Sequence, residues 1–316
     1  RGHGKKLMSD DHFEPGLDFF ESLRPSSGAT QCRRITVGPF SVHLRGLSED
    51  CVPPLEERYL GFVDKDFAPG VMRLPLLAAG VPSFLARYGD ERGIYLLRVR
   101  PEDGRILVYA HDFAAWFDPQ GRAGALAVCS PGWEGLRVPI ENFLRIYCAW
   151  RAVDLGGLLI HAASIVRDGR THIFFGHSGA GKSTVSTLSC DSGFVLSDDL
   201  TLLTPGPDGY LAHSVPFRST YKGRVVSERR AYPVAGMYQL VQAPQTRLEQ
   251  TPRAIAVSSV LSCLPFVTDH LLPMDPTQMM GLLERVLREI PVFRLEFTRS
   301  ADFWGPVLER NKPASV

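Results

Sequence analysis

Hydrophobic and polar residues follow strand-like patterns over much of the first 130 residues. Apolar and polar positions alternate loosely over residues 35–44, which predicts a β-strand. Residues 94–99 and 105–110 flank the turn-forming sequence Pro-Glu-Asp-Gly, a pattern that predicts two strands joined by a turn. Residues 125–129 form a further short apolar run. We therefore predict a strand-rich α+β N-terminal domain over residues 13–138.

The pattern changes to a helical period after residue 138. Pro139 suits the first turn of a helix, and Gly156-Gly157 is a typical end. Between them, apolar residues recur at helical spacing: Phe143, Ile146, Tyr147, Trp150 and Val153. Near the end of the chain, residues 279–290 carry one apolar helical face, and residues 292–297 resemble a strand. We predict a second domain over residues 139–316.

A tight hairpin is predicted shortly after this helix. Asp168-Gly169 lies between two apolar runs, and an Asp-Gly pair in that position favours a two-residue hairpin loop. Pairing Arg167 with Arg170 and counting back along both strands then pairs His161 with Gly176. A slip of one residue would turn the imidazole of His161 to the other face of the sheet.

Composition narrows the class of protein. Hydrophobic residues make up 44% of the 316 residues, as in a globular protein, and the formal net charge is +1. A nearly neutral chain does not favour binding to nucleic acid or to an anionic membrane surface. The six cysteines are scattered without metal-ligand spacing, so we expect no zinc site and a reducing, cytoplasmic environment. Residues 1–12 are polar, without the apolar centre of a signal peptide, and are predicted to be a disordered tail or a remnant of cloning.

The strongest motif follows the hairpin directly. The sequence Gly-His-Ser-Gly-Ala-Gly-Lys-Ser-Thr fits the phosphate-binding P-loop pattern G-x-x-x-x-G-K-[ST] and comes directly after an apolar strand. Glycines let the backbone N–H groups face phosphates, the lysine reaches the β- and γ-phosphates, and the serine hydroxyl binds Mg²⁺. These residues predict a site for ATP and Mg²⁺: Gly176, His177, Ser178, Gly179, Ala180, Gly181, Lys182, Ser183 and Thr184.

Two carboxylates end the next apolar run. Asp198 and Asp199 follow Phe194-Val195-Leu196-Ser197, about where an acidic partner of a P-loop is expected. One carboxylate can hold Mg²⁺, and the other can accept the proton of an attacking hydroxyl. If the hairpin register holds, His161 lies at the same site, where it can orient a buried carboxylate.

A basic segment lies further along the chain. It contains Arg218, Lys222, Arg224, Arg229 and Arg230. Arg218 follows an apolar Pro-Phe pair and is the candidate to clamp a transferring phosphoryl group or an acidic acceptor. Charge in this segment suggests an acceptor that carries negative charge.

Together, His161, the P-loop and Asp198-Asp199 resemble the catalytic domain of the bacterial HPr kinase/phosphorylase family. The resemblance covers roughly residues 156–220. It implies an α/β P-loop kinase domain of the HPr kinase/PEP carboxykinase-like type, with Asp198 as the base for the acceptor hydroxyl and His161 in contact with it. It further implies Ser183 and Asp199 as metal ligands and a homo-oligomer.

The chain departs from that family in two places. The family carries a Glu before an Ile-Arg-Gly segment, whereas the nearest segment here, Pro216-Phe217-Arg218-Ser219, has none. The N-terminal region also differs, so HPr is not the expected acceptor. The sequence predicts an ATP- and Mg²⁺-dependent kinase acting on a serine-type hydroxyl of a peptide, protein or small molecule. Two alternatives stay open, a P-loop ATPase and a non-catalytic nucleotide sensor.

Overall fold

The computed structural model describes residues 13–85, 96–217, 221–265 and 275–310. The predicted tail over residues 1–12, the first two residues of the predicted strand 94–99 and Arg218 all lie outside these ranges. The elements of the N-terminal half are α1 (Leu17–Ser22), β1 (Gln31–Val37), β2 (Phe40–Leu47), α2 (Val52–Arg58), β3 (Val63–Asp64), β4 (Met72–Ala78), β5 (Arg98–Glu102), β6 (Arg105–Tyr109), β7 (Phe113–Phe117) and β8 (Gly124–Val128).

The elements of the C-terminal half begin with a long helix. They are α3 (Trp133–Asp154), β9 (Leu158–Arg167), β10 (Arg170–Phe175), α4 (Lys182–Leu188), β11 (Phe194–Ser197), β12 (Leu200–Gly206), β13 (Gly209–His213), β14 (Ala231–Gln242), β15 (Arg247–Gln250), α5 (Arg253–Leu261), α6 (Pro276–Glu289), β16 (Val292–Phe297) and α7 (Trp304–Arg310). In the described ranges, the strands form two sheets of eight, so the protein is mixed α/β with two large sheets. None of the described helices is long and apolar enough to cross a membrane.

The first sheet has the spatial order β3-β1-β2-β4-β8-β7-β6-β5. The single strand predicted over residues 35–44 is wrong, because β1 and β2 divide these residues between them. The two strands form a hairpin that turns at Gly38, which has a φ of 55°. The loose alternation of the sequence hid this turn, since both strands place apolar residues in the same core. A pair of strands joined at Asp103-Gly104 is present as β5 and β6, but β5 extends to Glu102, so Pro101 and Glu102 belong to the strand and not to the predicted turn.

The second sheet closes on itself through its longest strand. The order runs β10-β9-β12-β13-β14, and β14 also pairs with β10 in parallel. The pairing of β14 with β16 and of β16 with β15 extends the sheet beyond this ring, and β11 pairs with β9. Helices α5 and α6 pack on one side of the sheet, and α4 and α7 pack on the other.

The hairpin register predicted from the sequence is confirmed. Arg167 pairs with Arg170, and the pairing continues to Ala162 and Phe175, which brings His161 level with Gly176. Asp168 and Gly169 have φ values of 52° and 74°, the left-handed pair that a tight hairpin turn requires.

Helix α3 corrects the predicted helix start at Pro139. The helix begins six residues earlier, at Trp133, and Pro139 lies inside it. A proline after the first turn removes one backbone hydrogen bond, a loss that burial of the apolar face of α3 offsets here. That face joins residues of both sheets in one core, including Leu44, Phe117, Phe143, Leu159 and Leu202.

Candidate active site

The glycine-rich loop connects β10 to α4 at one end of the second sheet. Gly179 and Gly181 have φ values of 81° and 112°, which L side chains rarely adopt. A Cβ at Gly181 would lie 2.6 Å from Cζ of Phe297, so the loop also passes too close to its support for a larger residue. The amide of Gln242 donates to the carbonyl of Gly179 at 2.8 Å and braces the loop from β14. His177, Ser178 and Gly179 are exposed at the tip, and Ala180 is buried beneath it.

Lys182 is the first residue of α4 and folds back over the loop. Its ammonium donates to the carbonyl of Gly176 at 2.9 Å and to that of His177 at 3.4 Å. Burial lowers the pKa of Lys182, while the charges of Cys263 and Asp199 act in the opposite direction. Ser183 is exposed and Thr184 half-buried, directly beside it.

The two aspartates lie at the bend between β11 and β12. Asp198 is buried, with 5% of its surface exposed, and the carbonyl of Asp199 accepts a hydrogen bond from the backbone of Ala162 at 3.0 Å. This bond attaches the bend to β9 next to His161. The sheet thus brings the aspartate pair and His161 together, as the hairpin register indicated.

The partner of His161 differs from the one that the family resemblance implied. Nε2 of His161 lies 3.2 Å from Oδ1 of Asp199, so the prediction that His161 contacts Asp198 is wrong. The bend holds Asp198 buried and leaves Asp199 to face the exposed imidazole. The order of two adjacent acidic residues in the sequence does not show which of them faces a neighbouring strand.

The carboxylate of Asp199 is held in its charged form by its neighbours. Burial alone raises its pKa, but the hydrogen bond from His161 and the charges of Arg145, His161 and Lys182 outweigh burial and leave the pKa below its ordinary value. Asp199 and Lys182 therefore interact across the gap between the bend and the glycine-rich loop.

Three residues of this site were missed by sequence reasoning. A guanidinium nitrogen of Arg145, on α3, lies 3.5 Å from Oδ2 of Asp199 and 2.6 Å from Oε1 of Glu141. The other oxygen of Glu141 pairs with Arg58 of α2, which also donates to the carbonyl of Pro216 at 2.8 Å. A chain of charges thus links the N-terminal half to Asp199. The i,i+4 spacing of Glu141 and Arg145 on a predicted helix was a signal for the pair, but not for its target.

Asp198 lies beside a cavity. It lines a cavity of about 340 Å³ together with Arg58, Phe217 and Tyr221. Burial raises the pKa of Tyr221 to about 12, and Cys190 and the charge of Asp198 add to the shift. Asp198 thus borders this cavity, while the adjacent Asp199 contacts His161 and interacts with Lys182.

The described side chains do not by themselves form a complete set of ligands for a metal ion. Among the described residues, no three His, Cys, Asp or Glu side chains cluster as a metal site. Mg²⁺ is commonly held by one or two carboxylates together with phosphates and water, so Ser183 and Asp199 fit such an ion only as part of a set completed by a nucleotide. Arg218 lies outside the described residues.

The fold and the site define a mixed α/β protein in which a glycine-rich loop and an acidic bend meet at one end of a closed sheet. The family model described as SynChlorMet cassette protein ScmC matches residues 138–310, more than half of the chain, and the chain belongs to this family. The matched residues include the loop, His161 and both aspartates. No curated protein matches the chain.

Proposed function

We propose that this protein is an ATP- and Mg²⁺-dependent kinase of the HPr kinase-like type that transfers the γ-phosphoryl group to a serine-type hydroxyl of a peptide, protein or small molecule. The observation that carries the proposal is the meeting of Lys182 with Asp199 and His161 at one end of the second sheet. Asp199 and Lys182 influence each other's pKa, and His161 lies within hydrogen-bonding distance of the same carboxylate.

The loop from Gly176 to Thr184 would bind the phosphates of ATP. Its positive-φ glycines allow the backbone N–H groups to turn towards an anion, and Lys182 supplies a positive charge. The ammonium of Lys182 donates hydrogen bonds to two carbonyls of the loop. When ATP binds, its β- and γ-phosphate oxygens would take the place of these carbonyls as acceptors. Ser183 and Asp199 would hold Mg²⁺, which neutralises charge on the phosphates.

Asp198 would act as the base for the acceptor. As the acceptor oxygen forms its bond to the γ-phosphorus, the bond from that phosphorus to the β–γ bridging oxygen breaks and ADP leaves. The hydroxyl proton passes to the carboxylate of Asp198. This assignment fits the position of Asp198, which lines a cavity that can admit an acceptor.

His161 and Arg145 would position Asp199. Each approaches one oxygen of that carboxylate, so the group has little freedom to rotate away from the P-loop. Arg218, whose side chain would clamp the transferring group, stays part of the proposal on sequence grounds. We place the reaction in the cytoplasm, where ATP is supplied and where the free thiols of the chain remain reduced.

The test measures nucleotide binding and phosphoryl transfer separately. A fluorescent ATP analogue titrated with and without Mg²⁺ gives the affinity, and mass spectrometry detects phosphorylation of HPr, free serine and serine-containing peptides. We expect Mg²⁺-dependent binding and transfer to a hydroxyl other than that of HPr. Steady ATP hydrolysis that no acceptor changes would favour an ATPase, and binding without any turnover would favour a nucleotide sensor.

A further inference from the structure

The cavity at Asp198 adjoins a larger groove. Five residues line both spaces: Leu60, Arg224, Val225, Val226 and Ser227. The inner space measures about 340 Å³ and the outer one about 710 Å³. The outer space extends to Phe194 at the start of β11. The two spaces therefore adjoin at these shared residues, and the inner one reaches Asp198.

The N-terminal half builds one wall of this groove. Gly61, after α2, lies so close to the opposite segment that a Cβ there would be 1.7 Å from the carbonyl oxygen of Ser227. Arg229 forms two contacts with Asp64, at 2.7 and 3.1 Å, on the same side. Backbone packing at Gly61 and the ion pair of Asp64 therefore hold this wall against residues 227–229.

Two arginines beside the groove are paired with carboxylates. Arg230 pairs with Glu228 at 2.6 Å, and Arg229 pairs with Asp64. Arg224 is exposed and, within the described ranges, forms no ion pair or side-chain hydrogen bond. It lines both spaces, so its charge is available to a molecule that occupies either of them.

Apolar side chains border the outer space. Leu60 is 62% exposed and Phe194 is 39% exposed, and both line the groove. Covering them would remove apolar surface from water, which favours a bound molecule with an apolar part. A free amino acid in the inner space would leave Phe194 in water, because Phe194 lines only the outer space.

We propose that this groove takes a peptide segment that carries the acceptor hydroxyl on a serine or threonine, with an acidic residue for Arg224 and an apolar residue for Leu60 and Phe194. The hydroxyl would reach Asp198 in the inner space, while the flanking residues lie in the outer space. This inference rests on the proposed function and adds to it the acceptor class and a role for the N-terminal half, which contributes Leu60 and the wall at Gly61.

A positional-scanning library of serine-centred peptides tests the proposal. The protein is incubated with Mg-ATP and each pool, and incorporation of phosphate is compared with that into free serine. We expect peptides to exceed free serine, with selection for an acidic residue at one flanking position and an apolar residue at another. The Arg224→Glu variant should reverse the charge preference and raise the KM for the acidic peptide by roughly tenfold, since like charges are brought together.

Leu60→Asp should remove the apolar preference and leave the acidic one in place. The matched controls are Arg288→Glu and Ile255→Asp, which change an exposed arginine and an exposed apolar residue away from the groove and should preserve both preferences. Transfer to free serine as efficient as to peptides, or peptide selection that neither groove variant alters, would overturn this inference and leave the kinase proposal standing. Absence of transfer to every acceptor would overturn both.

Discussion

Arg145 and Asp199 are 54 positions apart in the sequence, and a guanidinium nitrogen of Arg145 lies 3.5 Å from Oδ2 of Asp199. The contact joins helix α3 to the acidic bend. It also continues through Glu141 to Arg58, so the conformation of the bend depends on a helix of the N-terminal half. Substitutions in the bend and substitutions in α3 should therefore have different effects on activity and stability.

Lys182→Ala is expected to abolish phosphoryl transfer and to weaken nucleotide binding. In the proposed function, the ammonium would be the positive charge that the loop contributes to the β- and γ-phosphates. The affinity for a fluorescent ATP analogue with Mg²⁺ is the measurement, and Lys65→Ala, at an exposed lysine remote from the loop, is the control. Equal affinity and activity in the wild type and in Lys182→Ala would remove the loop from the site.

Asp198→Asn is expected to lose transfer while retaining nucleotide binding, because a general base contributes typically ~10²–10⁴-fold to the rate. Asp199→Asn should instead raise the Mg²⁺ concentration needed for half-maximal activity. Activity titrated against Mg²⁺ separates the two variants. If the two variants showed the opposite phenotypes, Asp199 would be the base and Asp198 the metal ligand. The position of His161 beside Asp199 is consistent with that assignment.

Acid should weaken the stabilising contribution of Asp199. Its pKa in the folded state is lowered from the ordinary 3.8, so the unfolded chain binds a proton at a higher pH than the folded one does. The contribution is complete above the ordinary value and is lost as the pH falls through the lower, folded-state pKa. Urea unfolding of the wild type and Asp199→Asn between pH 7 and pH 3 measures it.

The gap in unfolding free energy between these two proteins should narrow over the acidic end of that range. Asp154→Asn, which alters a carboxylate that is 53% exposed, should show a smaller gap at every pH. A gap that widens on acidification would contradict the lowered pKa.

The pair Glu141 and Arg145 should be energetically coupled. Each single variant, Glu141→Gln or Arg145→Met, removes the charge-assisted hydrogen bond between two partly buried side chains, and we expect each to cost ~1–3 kcal/mol of stability. Residues in one ion-pair network show coupling energies of about 0.5–3 kcal/mol, so the double variant should cost less than the sum. Urea denaturation of the four proteins measures the cycle, and strict additivity would show that the contact contributes nothing.

Gly61→Ala is expected to destabilise the protein more than Gly70→Ala. Both glycines have a positive φ, 80° and 79°, so both variants share the conformational penalty. A Cβ at Gly61 meets the backbone of Ser227, whereas a Cβ at Gly70 has nothing within 4 Å. The difference in melting temperature therefore isolates the contact between the N-terminal wall and residues 227–228, and equal melting temperatures would show that this contact is loose.

Sequence patterns predicted the features of this protein that depend on neighbouring residues alone, such as the hairpin turn. Asp168-Gly169 set the hairpin and its register, and the register placed His161 beside the loop. The start of α3 was not predictable from Pro139, because burial against both sheets extends the helix past a residue that usually begins one. Arg145 was not recognised, since charged residues on a predicted helix resemble a solvated face until the tertiary structure brings their partners together. Arg58 was missed because the sequence pattern did not predict α2 at all.

The shared core around α3 makes the stability of each sheet depend on the other. The same buried cluster contains Leu44 and Phe117 of the first sheet, Phe143 of the helix, and Leu159 and Leu202 of the second sheet. Removing either sheet would expose the apolar face of α3 to water, at a cost that grows with the area uncovered. The two sheets should therefore melt in a single cooperative transition, and a fragment beginning at residue 138 should aggregate rather than fold.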